Sequence, residues 1–182
     1  MFSVCYRALD IGLIVDASAK VRGKNFLRLR NFLKQIVASF SVSTTATRFG
    51  VVEFSSKPRK LFDFNRFTNK ATLLNVMGRI PFMSGTAKVG KALKYAAVKL
   101  FSRSTRQKVA IVITAAKSLD SVAVASGRLR RAGVRIITVG MGKAYSVTQL
   151  QQMASTRKCV FTSRFQTINS IVRAVKQKAC KG

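Results

Sequence analysis

What most constrains this chain is an alternation, sustained from end to end, between apolar runs of strand length and amphipathic stretches of helical period. LDIGLIV at residues 9–15 is apolar almost without a break, the pattern of a parallel strand buried on both faces. Phe26, Leu29, Phe32, Leu33, Ile36 and Val37 then recur at helical spacing, which predicts an amphipathic helix of about five turns. Two further runs, 49–54 and 60–64, flank Ser55-Ser56-Lys57-Pro58, a polar, proline-bearing link that predicts a hairpin and therefore an antiparallel edge pair. Beyond it the pattern predicts a short helix over 70–79, a loop over 81–86 and a longer helix over 89–101. A buried strand over 109–114 precedes a helix stopped at Ala132-Gly133, with the glycine as its cap. A strand over 134–140, a helix near 147–154, a short strand over 159–162 and a final helix over 168–179 complete the chain.

Strands that alternate with helices imply a mainly parallel sheet covered on both faces. The predicted class is therefore α/β: a Rossmann-like, doubly wound sheet of six strands with one antiparallel edge strand. No repeat, linker or low-complexity stretch interrupts it, so residues 1–182 are read as one domain of ordinary size. No apolar run approaches the roughly 20 residues that span a bilayer. Met1-Phe2-Ser3 is too short for a secretory leader, so a secreted parent would have lost its leader from this chain.

Charge is the second constraint. Thirty-four Lys and Arg against five Asp and Glu give a net +29, with no histidine. Such a surface repels itself at low salt and attracts polyanions through a salt-sensitive field. The cations lie on all but one of the predicted helices, which describes a globally basic body and not one groove; a deliberately supercharged design is the alternative. Cys5 precedes the first strand and Cys180 follows the last helix. A pair that brackets a domain suggests a terminal disulfide and an oxidising, extracellular setting; three free thiols inside a cell are the alternative. Cys159 is left over, as a small buried hydrophobe at a strand start.

Ligands of open α/β sheets sit at the carboxyl ends of the strands. The first loop there reads Asp16-Ala17-Ser18-Ala19-Lys20, and a carboxylate with hydroxyls on one turn is hard-oxygen chemistry suited to Mg²⁺ or Ca²⁺. It resembles the DxSxS start of the metal-ion-dependent adhesion site of von Willebrand factor A domains. The resemblance runs through ALDIGLIVDAS, RFGVVEFSSKPRKLFDF, MSGTAKVGKAL, KVAIVITAAKSLD and LRRAGVRIITVGMG, and the flanking cysteines are similar to those of the matrilin, type VI collagen and cnidarian matrix subgroup. Residue by residue, Asp16, Ser18 and Thr86 match three of the family's five site residues. Lys20 stands where the motif has its second serine, and Ala115 where it has an aspartate after the fourth strand.

The resemblance therefore implies a vestigial metal site, without tight binding of a cofactor; weak Mg²⁺ or Ca²⁺ completed by a partner's carboxylate is the alternative. Family members that use the metal grip an acidic group on the partner. Here Lys20, with Lys24, Lys88, Lys117 and Lys143 of the same strand-end loops, would offer a cationic rim for a carboxylate or sulfate. Those lysines are equally accounted for as part of a surface that is basic everywhere, on Arg28, Arg30, Lys94, Arg130, Arg131, Arg173 and Lys176 as well.

Two motifs are set aside. Residues 85–91 spell GxxxxGK, but Ala92 replaces the Ser or Thr of a phosphate-binding loop. Gly140-Met141-Gly142 follows a strand, yet Tyr145 takes the place of a third glycine. Catalysis lacks its parts, since no histidine serves as a base and Asp10 and Asp16 are six residues apart on one strand. Asp10 fits the start of that strand, and Glu53 and Asp63 fit neutralisers of cations on the edge hairpin. Phe62, Phe64 and Phe67 are the candidates for exposed aromatics that would stack nucleic-acid bases, with nonspecific binding the most that the charge implies. The expected function is a non-enzymatic extracellular matrix or adhesion module. Its partner would be a protein such as collagen or an acidic polymer such as a sulfated glycan, bound without metal. A metal-dependent adhesion domain and an intracellular nucleic-acid-associated domain are the rivals.

Overall fold

The computed structural model describes residues 4–181; the Met1-Phe2-Ser3 reading falls outside them. Six strands form one sheet in the order β3-β2-β1-β4-β5-β6. They are β1 (Leu9–Asp16), β2 (Arg48–Phe54), β3 (Pro58–Phe62), β4 (Gln107–Ala116), β5 (Val134–Ala144) and β6 (Val160–Ser163). β1 pairs in parallel with both β2 and β4, β4 with β5 and β5 with β6, while β3 alone runs antiparallel, against β2. The helices are α1 (Lys24–Ala38), α2 (Lys70–Met77), α3 (Val89–Lys99), α4 (Ala123–Arg131), α5 (Val147–Met153) and α6 (Val172–Cys180). The expected class stands: six strands, one antiparallel at the edge, helices on both faces.

The apolar alternation along the strands divides the core in two. Ile11, Leu13 and Val15 of β1 point to the side of α1, α2 and α6 and pack with Phe32, Leu33, Leu73 and Val175. Ile14, Val52 and Val112 point the other way, to Leu93, Leu129 and Leu150 of α3, α4 and α5. Every residue of β1 is buried, as expected of a central parallel strand. On the α3 side, Gly12 of β1 lies beside Gly50 of β2 and together they form a notch. A Cβ on Gly12 would meet Phe101 at 2.4 Å, and one on Gly50 would meet Leu100 at 2.5 Å. The two bulky residues that follow α3 seat there against bare backbone.

Several boundaries differ from the periodic reading. β3 starts two residues early at Pro58, which is tolerated because an edge strand can spare an N–H. The last apolar stretch is a 3₁₀ segment, Phe165–Ile171, before α6 begins. Cys159 closes a 3₁₀ turn just ahead of β6 instead of opening the strand, and it is buried as a free thiol. Gly133 does cap α4, at φ +77°. Cys5 and Cys180 are joined in a disulfide, as expected for the bracketing pair.

Three ion pairs occur among the described residues, and all are on the β1–β3 side: Arg48–Asp10, Arg59–Glu53 and Lys60–Asp63. Glu53 and Asp63 thus do neutralise hairpin cations. Other arginines turn instead to backbone carbonyls. Arg7 donates to the Cys180 carbonyl, Arg30 to that of Ile80, Arg106 to Ala46 and Thr44, and Arg130 to Gln152 and Met153. Arg30, Arg130 and the buried Lys176 are therefore structural cations, not the solvated ones that the sequence suggests.

Glu53 is fully buried, and its Oε2 has no hydrogen-bond partner. Burial pushes its carboxyl above the ordinary carboxylate value of 4.5, and the Arg59 guanidinium opposes this only in part. A raised folded-state value means that this group favours the fold below 4.5 and loses that contribution as pH rises through the raised value. The variant Glu53→Gln is therefore expected to gain stability relative to the parent between pH 3.5 and pH 7, read as the difference in Tm at the two pH values. A gap that moves the other way would show that the Arg59 pairing outweighs burial.

Candidate functional site

The chain order reverses direction across the sheet between β1 and β4, because β1 leads to β2 on one side while β4 to β6 extend the other. The crevice outside the carboxyl ends of those two strands is where open α/β sheets place ligands, and Asp16 and Ala115 meet in it. Asp16 ends β1, fully buried. Its Oδ1 accepts the Ser18 N–H at 2.8 Å, which folds the chain into a tight turn. Its Oδ2 accepts the Ala115 N–H at 2.8 Å and the Thr114 hydroxyl at 3.0 Å. Thr114, near the end of β4, thus fixes the carboxylate from the next strand.

The loop that carries Thr86 is stitched to the same turn. Met83 donates to the Ala17 carbonyl at 3.3 Å and Ala19 to the Gly85 carbonyl at 2.9 Å. Ser84 and Gly85 both have positive φ, 63° and 87°, and this reversal turns Thr86 outward. The Thr86 hydroxyl is exposed and sits 3.0 Å from that of Ser56. Ser18 Oγ, by contrast, is buried and has no hydrogen-bond partner. An orphaned buried hydroxyl is costly, by about 1–3 kcal/mol, and is the single feature of the crevice that asks for a ligand.

Lys20, Lys24 and Lys117 are exposed, Lys88 is half-buried before α3, and Lys143 is exposed near the end of β5. All five lie on strand-end loops or helix starts at this edge, and none has an ion-pair partner among the described residues. The GxxxxGK run is accounted for differently. Asp120 reaches across from the β4–α4 loop and accepts the N–H groups of Gly90 and Lys91 at 2.8 and 2.7 Å, while Ser118 Oγ takes that of Val89 at 2.9 Å. The start of α3, where a phosphate would bind, is already filled by the protein's own carboxylate. Thirty residues separate Asp120 from Gly90, so no local capping rule would have found it.

Of the candidate stacking aromatics, Phe62 and Phe64 are buried and Phe67 is half-buried. Phe82, packed edge-on against Phe26, is the exposed phenylalanine.

An open doubly wound sheet with a carboxylate and hydroxyls gathered at its switch point places the chain in the α/β class whose ligands sit in that crevice. The chain belongs to the von Willebrand factor type A domain family, whose model matches residues 10–174. It is 32% identical to Matrilin-1 of Gallus gallus over 95% of its length, and 28% identical to Vitrin of Homo sapiens over 97%. It spans only 36% and 26% of those two proteins, about a quarter to a third of their length. Proximal thread matrix protein 1 from the mussel byssus superposes with a TM-score of 0.91 at 30% identity, over 97% of this chain and 47% of that one; that structure has a zinc-occupied adhesion motif. These relatives are extracellular matrix proteins, and the chain is an extracellular matrix-type A domain.

The residues of this chain fit a resident divalent cation poorly. Mg²⁺ and Ca²⁺ take six or more oxygens, with carboxylates to balance their charge. The crevice supplies one carboxylate, already accepting three protein hydrogen bonds. Ala115 adds a methyl group, Lys20 adds positive charge, and no cluster of three acidic, Cys or His side chains exists among the described residues.

Proposed function

We propose that this domain is a non-enzymatic matrix-binding module that holds an acidic group of its partner directly, without a resident metal. The partner is a matrix protein such as collagen or an acidic polymer such as a sulfated glycan. The observation that carries this reading is a lone Asp16 carboxylate that already accepts three protein hydrogen bonds, beside a Ser18 hydroxyl that has no partner. A partner's carboxylate or sulfate would accept from Ser18 and be balanced by Lys20 and the ammonium groups around it. A divalent cation would have to compete with the hydrogen bonds that Asp16 already makes.

The absence of histidine and the burial of Cys159 support a binding role over catalysis. Asp10 and Asp16 also stand at opposite ends of β1, roughly 20 Å apart by strand rise, too far to act as a pair. The buried Phe62 and Phe64 leave little for base stacking, which weighs against a single-stranded nucleic-acid partner. One observation favours a metal-dependent reading, namely the zinc held by the mussel relative; weak Mg²⁺ or Ca²⁺ at Asp16, Ser18 and Thr86 is that second reading.

Calorimetric titration of Mg²⁺, Mn²⁺ and Ca²⁺ separates them. The parent is expected to give no binding heat up to millimolar metal, and the double variant Lys20→Ser, Ala115→Asp to bind, since it regains a hydroxyl and a carboxylate. Micromolar affinity in the parent would establish the second reading and end the first.

A further inference from the structure

A second concavity lies at the other end of the sheet. β6 begins only opposite Thr138, so the first residues of β5, paired with β4 on one side, have no strand on the other. Residues that precede β6 cover that edge in part: Ser155 N donates to the Ile136 carbonyl at 2.9 Å, and Ser155 Oγ accepts the Ile136 N–H at 2.8 Å. Between this segment, β5 and the end of α6 a groove of about 630 Å³ remains. Arg135, Lys158, Lys178 and Lys181 line it, with Ser155, Thr156 and Gln177 between them and Phe161 at its wall.

Two features single it out from a surface that is basic throughout. Arg135 is not a free surface cation: its Nη1 donates to the Lys178 carbonyl at 3.2 Å and to that of Lys181. This fixes a half-buried guanidinium in the groove and satisfies the last turn of α6, whose negative end favours a cation. Nor, among the described residues, does an acidic side chain line the groove. All five Asp and Glu side chains are engaged elsewhere: Asp10 with Arg48, Asp16 in the crevice, Glu53 with Arg59, Asp63 with Lys60 and Asp120 at α3. Four cations that converge on a concave wall with no acid among them raise the local potential well above that of isolated surface lysines.

We propose that this groove is the seat of a sulfated glycan chain, a ligand site separate from the Asp16 crevice. The choice of polyanion rests on the matrix-binding reading above. In register, Arg135 is level with Val109 and Ile11, whereas Asp16 lies five residues further along β1, roughly 17 Å by strand rise. The domain would thus carry its polyanion at the base of the sheet and keep the opposite edge for a protein partner. Sulfate esters fit the planar Arg135 donors and the paired lysines, and Ser155, Thr156 and Gln177 offer bonds to sugar hydroxyls.

The test is binding of a heparin-derived hexasaccharide, alongside its unsulfated counterpart, at 0.15 M salt and over a salt series. Lys158→Gln with Lys178→Gln leaves Arg135 and its carbonyl bonds intact; Lys20→Gln with Lys117→Gln removes the same charge from the crevice rim. The groove pair is expected to weaken binding about tenfold and to flatten the salt dependence by one to two released ions, and the rim pair to weaken it by less than about threefold. Equal losses in both pairs, a larger loss in the rim pair, or equal binding of the unsulfated sugar would overturn the groove assignment and leave the matrix-binding reading standing. No binding by the parent would remove both the groove and the acidic-polymer half of that reading. Circular dichroism of each variant checks that the fold is kept.

Discussion

Replacing Arg48 with alanine is expected to cost about 3–5 kcal/mol of stability, the usual penalty for stranding one partner of a buried ion pair. Asp10 is fully buried in the central strand. Arg48 reaches it from β2 with Nε at 2.7 Å and Nη2 at 2.6 Å, and Ser104 Oγ donates at 2.6 Å from beyond α3. Hydrogen bonding to Asp10 raises the Arg48 guanidinium further above its ordinary value, so it stays charged wherever the fold survives. Without it, the carboxylate keeps one donor in an apolar setting and must either protonate or draw in water. The joint change Asp10→Leu with Arg48→Met removes both charges and is expected to cost less than Arg48→Ala alone. Urea denaturation of the three proteins measures this; a loss under about 1 kcal/mol for Arg48→Ala would mean that water already reaches Asp10.

Removal of the disulfide comes next in size. Cys5 and Cys180 are 175 residues apart, so the bridge closes nearly the whole chain into one loop. The chain-entropy estimate for a loop of that length is about 5 kcal/mol, and losses on removing native bridges run at about 2–5 kcal/mol. Against a typical total stability of roughly 5–15 kcal/mol, that is a large share. The neighbourhood softens it in part. Cys5 exchanges backbone bonds with Ser39 and Ser41 at the end of α1, and Arg7 ties β4 to α6 through Gln107 and the Cys180 carbonyl. The variant Cys5→Ser with Cys180→Ser is therefore expected to fold, with Tm lower by on the order of 10 °C. An unchanged Tm would show that these bonds hold the two termini without the bridge. Because Cys159 is buried, this variant should react with a thiol reagent only as it unfolds.

The residues behind these two predictions are unequally legible in the sequence. Asp10 reads as a residue at the start of a strand, and its burial is not visible until Arg48 and Ser104, 38 and 94 residues away, close on it. The cysteine pair is visible from its position alone, because a bracketing pair leaves few topologies. Asp16 and Ser18 are legible as a site because both sit on one turn after a strand that can only be central. Their condition is not: Asp16 is held by Thr114 and Ala115 of a neighbouring strand nearly 100 positions later, and the Ser18 hydroxyl is left without a partner.

Sequence alone settled what short-range physics controls. Apolar period separates buried strands from amphipathic helices, the proline link marks the antiparallel edge, Gly133 stops α4, and the balance of five acids against 34 bases makes the body cationic. Those features depend on residues within a few positions of one another, or on a simple count. Tertiary structure decided the rest: Asp120 filling the start of α3, the Gly12–Gly50 notch for Leu100 and Phe101, arginines spent on carbonyls, and four cations gathered where β6 starts late. Each joins segments that are tens of residues apart. Such contacts follow from where the sheet and its helices bring chain segments together, and no local pattern in a single sequence encodes that meeting.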